Sequence, residues 1–151
     1  GSGSDQLYDT SPHNLFPNVF DLLLSGGTPR INGDDYPTPD GTCVRDYVHV
    51  ADLARSHVAA AEQMMAGTKL EKAYNLGSGT GSSVREIMDA IARVTGIAFT
   101  PEIAPRRPGD PARIVARGDK AARDIDWKMR HSLDQMVESA WNARRAHPQG
   151  A

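Results

Sequence analysis

Four stretches repeat apolar residues at the three-to-four spacing of a half-buried helix, with short apolar runs between them broken by Gly, Pro and Asp. In the first, Leu15, Val19, Leu22 and Leu23 share a face; Ser11 or Asn14 can cap it, Pro17 fits a first turn, and Gly26 or Gly27 can close it. The second is expected from about Leu53 to Met65, capped by Asp52, with Leu53, Val58, Ala61 and Met65 as its apolar face. The third opens on Ser83-Val84-Arg85-Glu86, which has capping-box spacing. It carries Val84, Ile87, Met88, Ile91 and Val94 and stops at Gly96. The fourth opens on the box Ser132-Leu133-Asp134-Gln135, carries Met136, Val137, Ala140 and Trp141, and ends at Pro148. Asp119 to Ile125 predicts a further helical turn or two, with Trp127 packing beneath.

The runs between read as strands. Arg30-Ile31-Asn32 predicts a short one ending in a turn. Tyr36 to Thr42 is a Pro/Asp/Gly loop with Asp40-Gly41 as its sharpest turn signal. Val44 to Val50 alternates Val44, Asp46, Val48 and Val50 against Arg45, Tyr47 and His49, a strand with a polar interruption. Tyr74-Asn75-Leu76 and Ile114 to Ala116 predict short strands, and Phe99 to Ala104 reads as extended. The sum is an α/β or α+β domain of several helices and short strands, too scattered for a complete doubly wound sheet.

A length of 151 residues suits one domain with a real core. At 39% hydrophobic and 24% charged the chain is globular, and a net charge of −2 gives no general attraction to nucleic acid or anionic membrane. No apolar run approaches the roughly 18 residues of a membrane span. The lone Cys43 excludes an internal disulfide and fits a reducing compartment, so a cytoplasmic location is expected. Residues 1–4, Gly-Ser-Gly-Ser, read as a cloning scar, leaving 5–151 as the domain.

The loop Gly77 to Gly81 lies between a predicted strand and a helix, but its third fingerprint position falls on Ser82, so it reads as a flexible loop feeding a capped helix. No histidine is spaced to activate Cys43, His49 reads as a hydrogen-bonded structural residue, and the five histidines have no metal-binding spacing. The arginines say more. Arg45 in an apolar strand needs an anionic or hydrogen-bonding partner, and neighbouring Asp46 points to the opposite face. Arg106, Arg107 and Asp110 sit in a Pro/Gly loop, where solvated charge is the default reading. If both segments turn arginines into one cleft, the guanidinium forks suit phosphate, at about 1.5–3 kcal/mol for each charge-assisted bond.

The stretch "GDDYPTPDGTCVRDYVHVADLA", with "HNLFP", "YNLGSGTGSSVREI", "RRPGD" and "ARRAHPQG" in the same order, resembles the UDP-glucose 4-epimerases, which are extended short-chain dehydrogenases/reductases. The resemblance runs from about residue 11 to the end. It implies the small C-terminal substrate-binding half, with the Rossmann half absent. Asn14 and the Leu15 backbone would contact the diphosphate region. Arg30, Ile31 and Asn32 would lie along the uracil, partly through backbone groups, and Arg45 and Arg107 would hold the phosphates. Asp110 would bond the ribose hydroxyls or orient the neighbouring arginine, and Asp46 would anchor a loop. Asn32 replaces the family's usual aromatic residue, and Ile114 stands where side-chain size bears on N-acetylated sugars.

The family reaction oxidises the sugar C4 hydroxyl with bound NAD, turns the keto-sugar and returns the hydride. It uses a Rossmann fingerprint and a Tyr-x-x-x-Lys pair. Residues four after Tyr8, Tyr36, Tyr47 and Tyr74 are Pro12, Asp40, Ala51 and Ser78, so these 151 residues are expected to bind a UDP-sugar without epimerising it. No catalytic, NAD-binding or metal residue is expected in the chain itself. A Rossmann half, which would complete the enzyme, or self-association is the expected partnering. The alternatives are a freestanding UDP-sugar-binding module and an interaction domain derived from the epimerase.

Overall fold

The computed structural model describes residues 9, 11 and 14–147; Gly1 to Ser4, Pro12 and Pro148, all invoked above, lie outside them. Among these residues five helices and five short strands follow in the order α1 (Leu15–Leu24), β1 (Arg30–Asn32), β2 (Val44–Arg45), α2 (Val50–Met65), β3 (Ser82–Ser83), α3 (Val84–Thr95), β4 (Glu102–Ala104), β5 (Arg113–Ile114), α4 (Asp119–Ile125) and α5 (Leu133–Ala146). This is an α/β fold. β1 pairs parallel with β4, Ile31 opposite Ile103. A second sheet runs β3-β2-β5, antiparallel at β2–β3 and parallel at β2–β5.

The helix signals with complete side-chain chemistry hold. Ser83 and Glu86 close a reciprocal capping box at α3, and Ser132 and Gln135 close one at α5. Gly96 ends α3 at φ 72°. Asn14 occupies the N-cap position of α1, but its amide donates to Asp9 at 2.6 Å instead of capping. The main core gathers Val19, Phe20 and Leu23 of α1, Ile31 of β1, Ile87, Met88 and Ile91 of α3, and Val137 and Trp141 of α5. Burying each large aliphatic side chain contributes about 1.5–3 kcal/mol. A smaller cluster forms around Ala121, Ile125 and Trp127, with Trp127 beneath α4 as expected.

Three expectations are corrected. The strand from Val44 stops at Arg45, because Val50 already begins α2 and the imidazole of His49 caps it by accepting from Ala51 N at 3.0 Å. Asp52 is not the cap. It is fully buried in the first turn of α2, where its Oδ2 accepts the backbone N–H groups of Arg130 and His131, both at 3.0 Å. Tyr74 to Leu76 form no strand, since nothing among the described residues offers them a ladder.

The second helix also turns its faces the other way round. At 100° per residue, Val50, Leu53, Val58, Ala61, Met64 and Met65 fall on one side, and all of them are exposed, Met65 at 89%. Asp52 and Ser56 are the buried residues of α2. The apolar stripe read from the sequence is real, but within the described residues it faces outward.

Candidate functional site

A cleft of about 1110 Å³ opens between α1, β1, β2 and the loop after β4. Cys43, Arg45 and Tyr47, alternate residues along the chain through β2, line it. Cys43 is buried at 6% exposure, and Tyr47 packs on Phe16 with ring centroids 5.6 Å apart. Burial, chiefly, raises the Tyr47 phenol above its ordinary pKa.

Arg45 is half-buried in the cleft wall and held there by groups of the protein itself. Nη1 donates to the carbonyls of Val44 at 2.9 Å and Pro111 at 2.8 Å, and Nη2 reaches Asp110 Oδ1 at 3.4 Å. The carboxylate contact is long, so the positive charge is only partly offset. Arg107 lines the same cleft, and its guanidinium makes no hydrogen bond or ion pair among the described residues. Segments 62 positions apart thus bring two arginines to one concavity, the condition the sequence left open. Arg30 stands at the rim, exposed and bonded to Glu102 at 3.0 Å, and the half-buried Asn32 lines the wall beside it.

Of the eight expected site residues, Leu15, Arg30, Asn32, Arg45, Arg107 and Asp110 line the cleft. Two do not. The side chain of Ile31 is in the core at 1% exposure, because alternation in β1 turns it opposite to Arg30 and Asn32. The side chain of Asn14 is spent on Asp9. Ile114 is 53% exposed and stands outside the cleft. Tyr47, Cys43 and Glu102 line it without having been singled out. The alternation that placed Arg45 held the signal for Cys43 and Tyr47; Glu102 had none, since its place depends on β4 pairing with β1.

Asp46 anchors loops. Its Oδ2 accepts from Ala116 N at 2.9 Å and its carboxylate from Ser78 N at 3.0 Å. That decides what the Gly77–Gly81 loop can do. Four of its five N–H groups are already taken: Ser78 by Asp46, Gly79 by the Ala116 carbonyl, and Thr80 and Gly81 by Ser78 Oγ. A dinucleotide pyrophosphate needs such groups free, so this loop does not fit NAD. No group of three or more His, Cys, Asp or Glu among the described residues could hold a metal ion. No helix among them is long and apolar enough to cross a membrane.

The fold and the arginine-lined cleft have counterparts. Residues 2–77 match the model of the NAD dependent epimerase/dehydratase family, and the chain belongs to that family. Within it the chain is similar to UDP-glucose 4-epimerases. It is 44% identical over 146 residues to the one of Halalkalibacterium halodurans, a match covering 94% of this chain and 43% of the relative. A crystal structure of a UDP-glucose 4-epimerase superposes with TM-score 0.84 at 42% identity, over 92% of this chain and 43% of that one. Another, from Stenotrophomonas maltophila with bound NAD and formylated UDP-arabinopyranose, gives 0.83 at 39%, over 93% and 42%. The chain thus spans about two fifths of the length of the relatives it matches.

Proposed function

We propose that this chain is the substrate-binding half of an NAD-dependent UDP-glucose 4-epimerase and that its cleft takes the UDP part of a UDP-sugar. The observation that carries this reading is that the unpaired Arg107 guanidinium and the hydrogen-bonded Arg45 line one cleft. Two cations with incomplete anionic partners suit a diphosphate, and guanidinium forks match phosphate oxygens in pairs. Arg30 and Asn32 on the rim strand are then placed for the base. Asp110 acts chiefly by orienting Arg45.

Epimerisation itself needs a nicotinamide cofactor and a tyrosine base. The Gly77–Gly81 loop does not suit the first, and the chain holds no Tyr-x-x-x-Lys for the second. The reading is therefore that the chain acts with a Rossmann half that supplies both, and the outward apolar face of α2 is the surface that favours such a partner. Self-association through the same face is the competing outcome. The test is to add a Rossmann half of a relative in trans with NAD and to assay interconversion of UDP-glucose and UDP-galactose. Activity from the mixture and none from either part supports the reading; a folded, associated mixture without activity contradicts it.

A further inference from the structure

Arg106 and Arg107 are adjacent, carry the same charge and share one Pro/Gly loop, yet they meet different surroundings. Arg107 lines the cleft with its guanidinium unpaired. Arg106 does not line it. Its Nε donates to Asp35 Oδ1 at 2.6 Å, its Nη2 donates to the Asp35 carbonyl, and its guanidinium carbon lies 4.1 Å from the centre of the Tyr36 ring. Tyr36 itself is buried at 5% exposure, so the guanidinium rests on a fixed surface.

The seat is closely built. Gly33 adopts φ +85°, and a Cβ there would stand 2.6 Å from Arg106 Cγ and 2.7 Å from Tyr36 Cε2. Backbone bonds tie down the chain on both sides of the 105–111 loop: Gly33 N to the Ala104 carbonyl at 2.7 Å and Val44 N to the Ala112 carbonyl at 2.8 Å. Between them, Arg45 grips Pro111 and Asp110 at the far end, and Arg106 grips the Asp35–Tyr36 turn at the near end.

We infer that Arg106 is a positioning residue: it fastens the 105–111 loop to the 33–36 turn and thereby fixes where Arg107 stands in the cleft. The inference rests on the phosphate-binding reading of Arg107 and deepens it. Two like charges side by side repel, and the surroundings of the pair choose which one faces the cleft. Asp35 and Tyr36 make that choice by engaging Arg106.

The experiment is calorimetric titration with UDP of the wild type, Arg106→Gln, Arg107→Ala, the double variant, and Asp35→Asn. Arg106→Gln should weaken UDP roughly three- to tenfold, the loss expected when one charge-assisted contact is misaligned rather than removed. In the Arg107→Ala background the same change should have no further effect. Asp35→Asn separates positioning from simple charge: removing an anion near a phosphate site should tighten binding by electrostatics alone, whereas loss of the fastening weakens it. An equal loss in both backgrounds, no loss in either, or tighter binding by Asp35→Asn overturns the inference while leaving the site reading intact. A wild type that does not bind UDP overturns both.

Discussion

Arg45 and Asp110 meet at 3.4 Å although 65 positions separate them, and the same guanidinium donates to the Pro111 carbonyl next door at 2.8 Å. The strand arginine therefore leans on the loop that carries the second arginine, and the two halves of the proposed phosphate site hold each other in place. Asp110→Ala should weaken UDP roughly three- to tenfold, the loss expected when the Arg45 contact is misaligned rather than removed. Because Asp110 is on Arg45, the loss should be equal for UDP and 2′-deoxy-UDP in parallel titrations. A loss confined to the ribonucleotide would make Asp110 a ribose reader instead.

Stability should fall on mild acidification, and His49 should be the reason. Its ring is buried, stacked 4.1 Å from the ring of His131, with Nδ1 accepting from Ala51 N and Nε2 donating to Ser139 Oγ at 2.8 Å. Burial first, and then the neighbouring His131 and Arg55, hold its pKa below the ordinary 6.5, against the opposing pull of Asp52. The folded state prefers the neutral ring. The stabilisation is full above pH 6.5 and is lost as pH falls from 6.5 through the lower folded value. His49→Asn keeps a capping side chain without a titrating group. Thermal midpoints between pH 7.5 and 5.5 should drop for the wild type and stay flatter for the variant; parallel curves would contradict this.

Asp52 should be the costliest single position on α2. Its buried carboxylate joins Arg55, the two N–H groups of Arg130 and His131, and His131 Nδ1 at 3.0 Å. Burial alone would raise its pKa, but the backbone bonds from His131 and Arg130 outweigh that and lower it below 3.8. Asp52→Ala should cost about 3 kcal/mol in urea denaturation at neutral pH, because it leaves the Arg55 charge and two partly buried N–H groups unpaired. A change within about 0.5 kcal/mol, the size of an ordinary surface substitution, would contradict the arrangement.

The outward stripe of α2 should behave as an interface rather than as core. Leu53→Lys with Val58→Glu should change stability by less than about 0.5 kcal/mol, since both side chains are exposed. UDP binding should be unchanged, and association with a Rossmann half, read by light scattering and by activity in trans, should be lost. Unfolding of the double variant would show that the stripe supports the fold of this chain alone.

What the sequence disclosed follows from where the information lies. A capping box is complete within four residues, so Ser83–Glu86 and Ser132–Gln135 could be read directly. Periodicity found the apolar stripe of α2 but not its direction, because period names a face without naming what covers it. Asp52 looked like a cap since an acidic residue before an apolar run usually is one; its true partners lie 78 and 79 positions away. The cleft shows the same divide. Alternation put Cys43, Arg45 and Tyr47 on one face, yet which of two adjacent arginines would face it depended on Asp35 and Tyr36, 71 and 70 positions earlier than Arg106.

The most direct measurement is the affinity of this chain for UDP with each arginine removed in turn. The wild type should bind UDP in the micromolar range, and Arg45→Ala and Arg107→Ala should each weaken it by about tenfold or more, with the loss shrinking as salt rises. UDP binding that is absent from the folded wild type, or that survives loss of both guanidinium groups unchanged, would contradict the account.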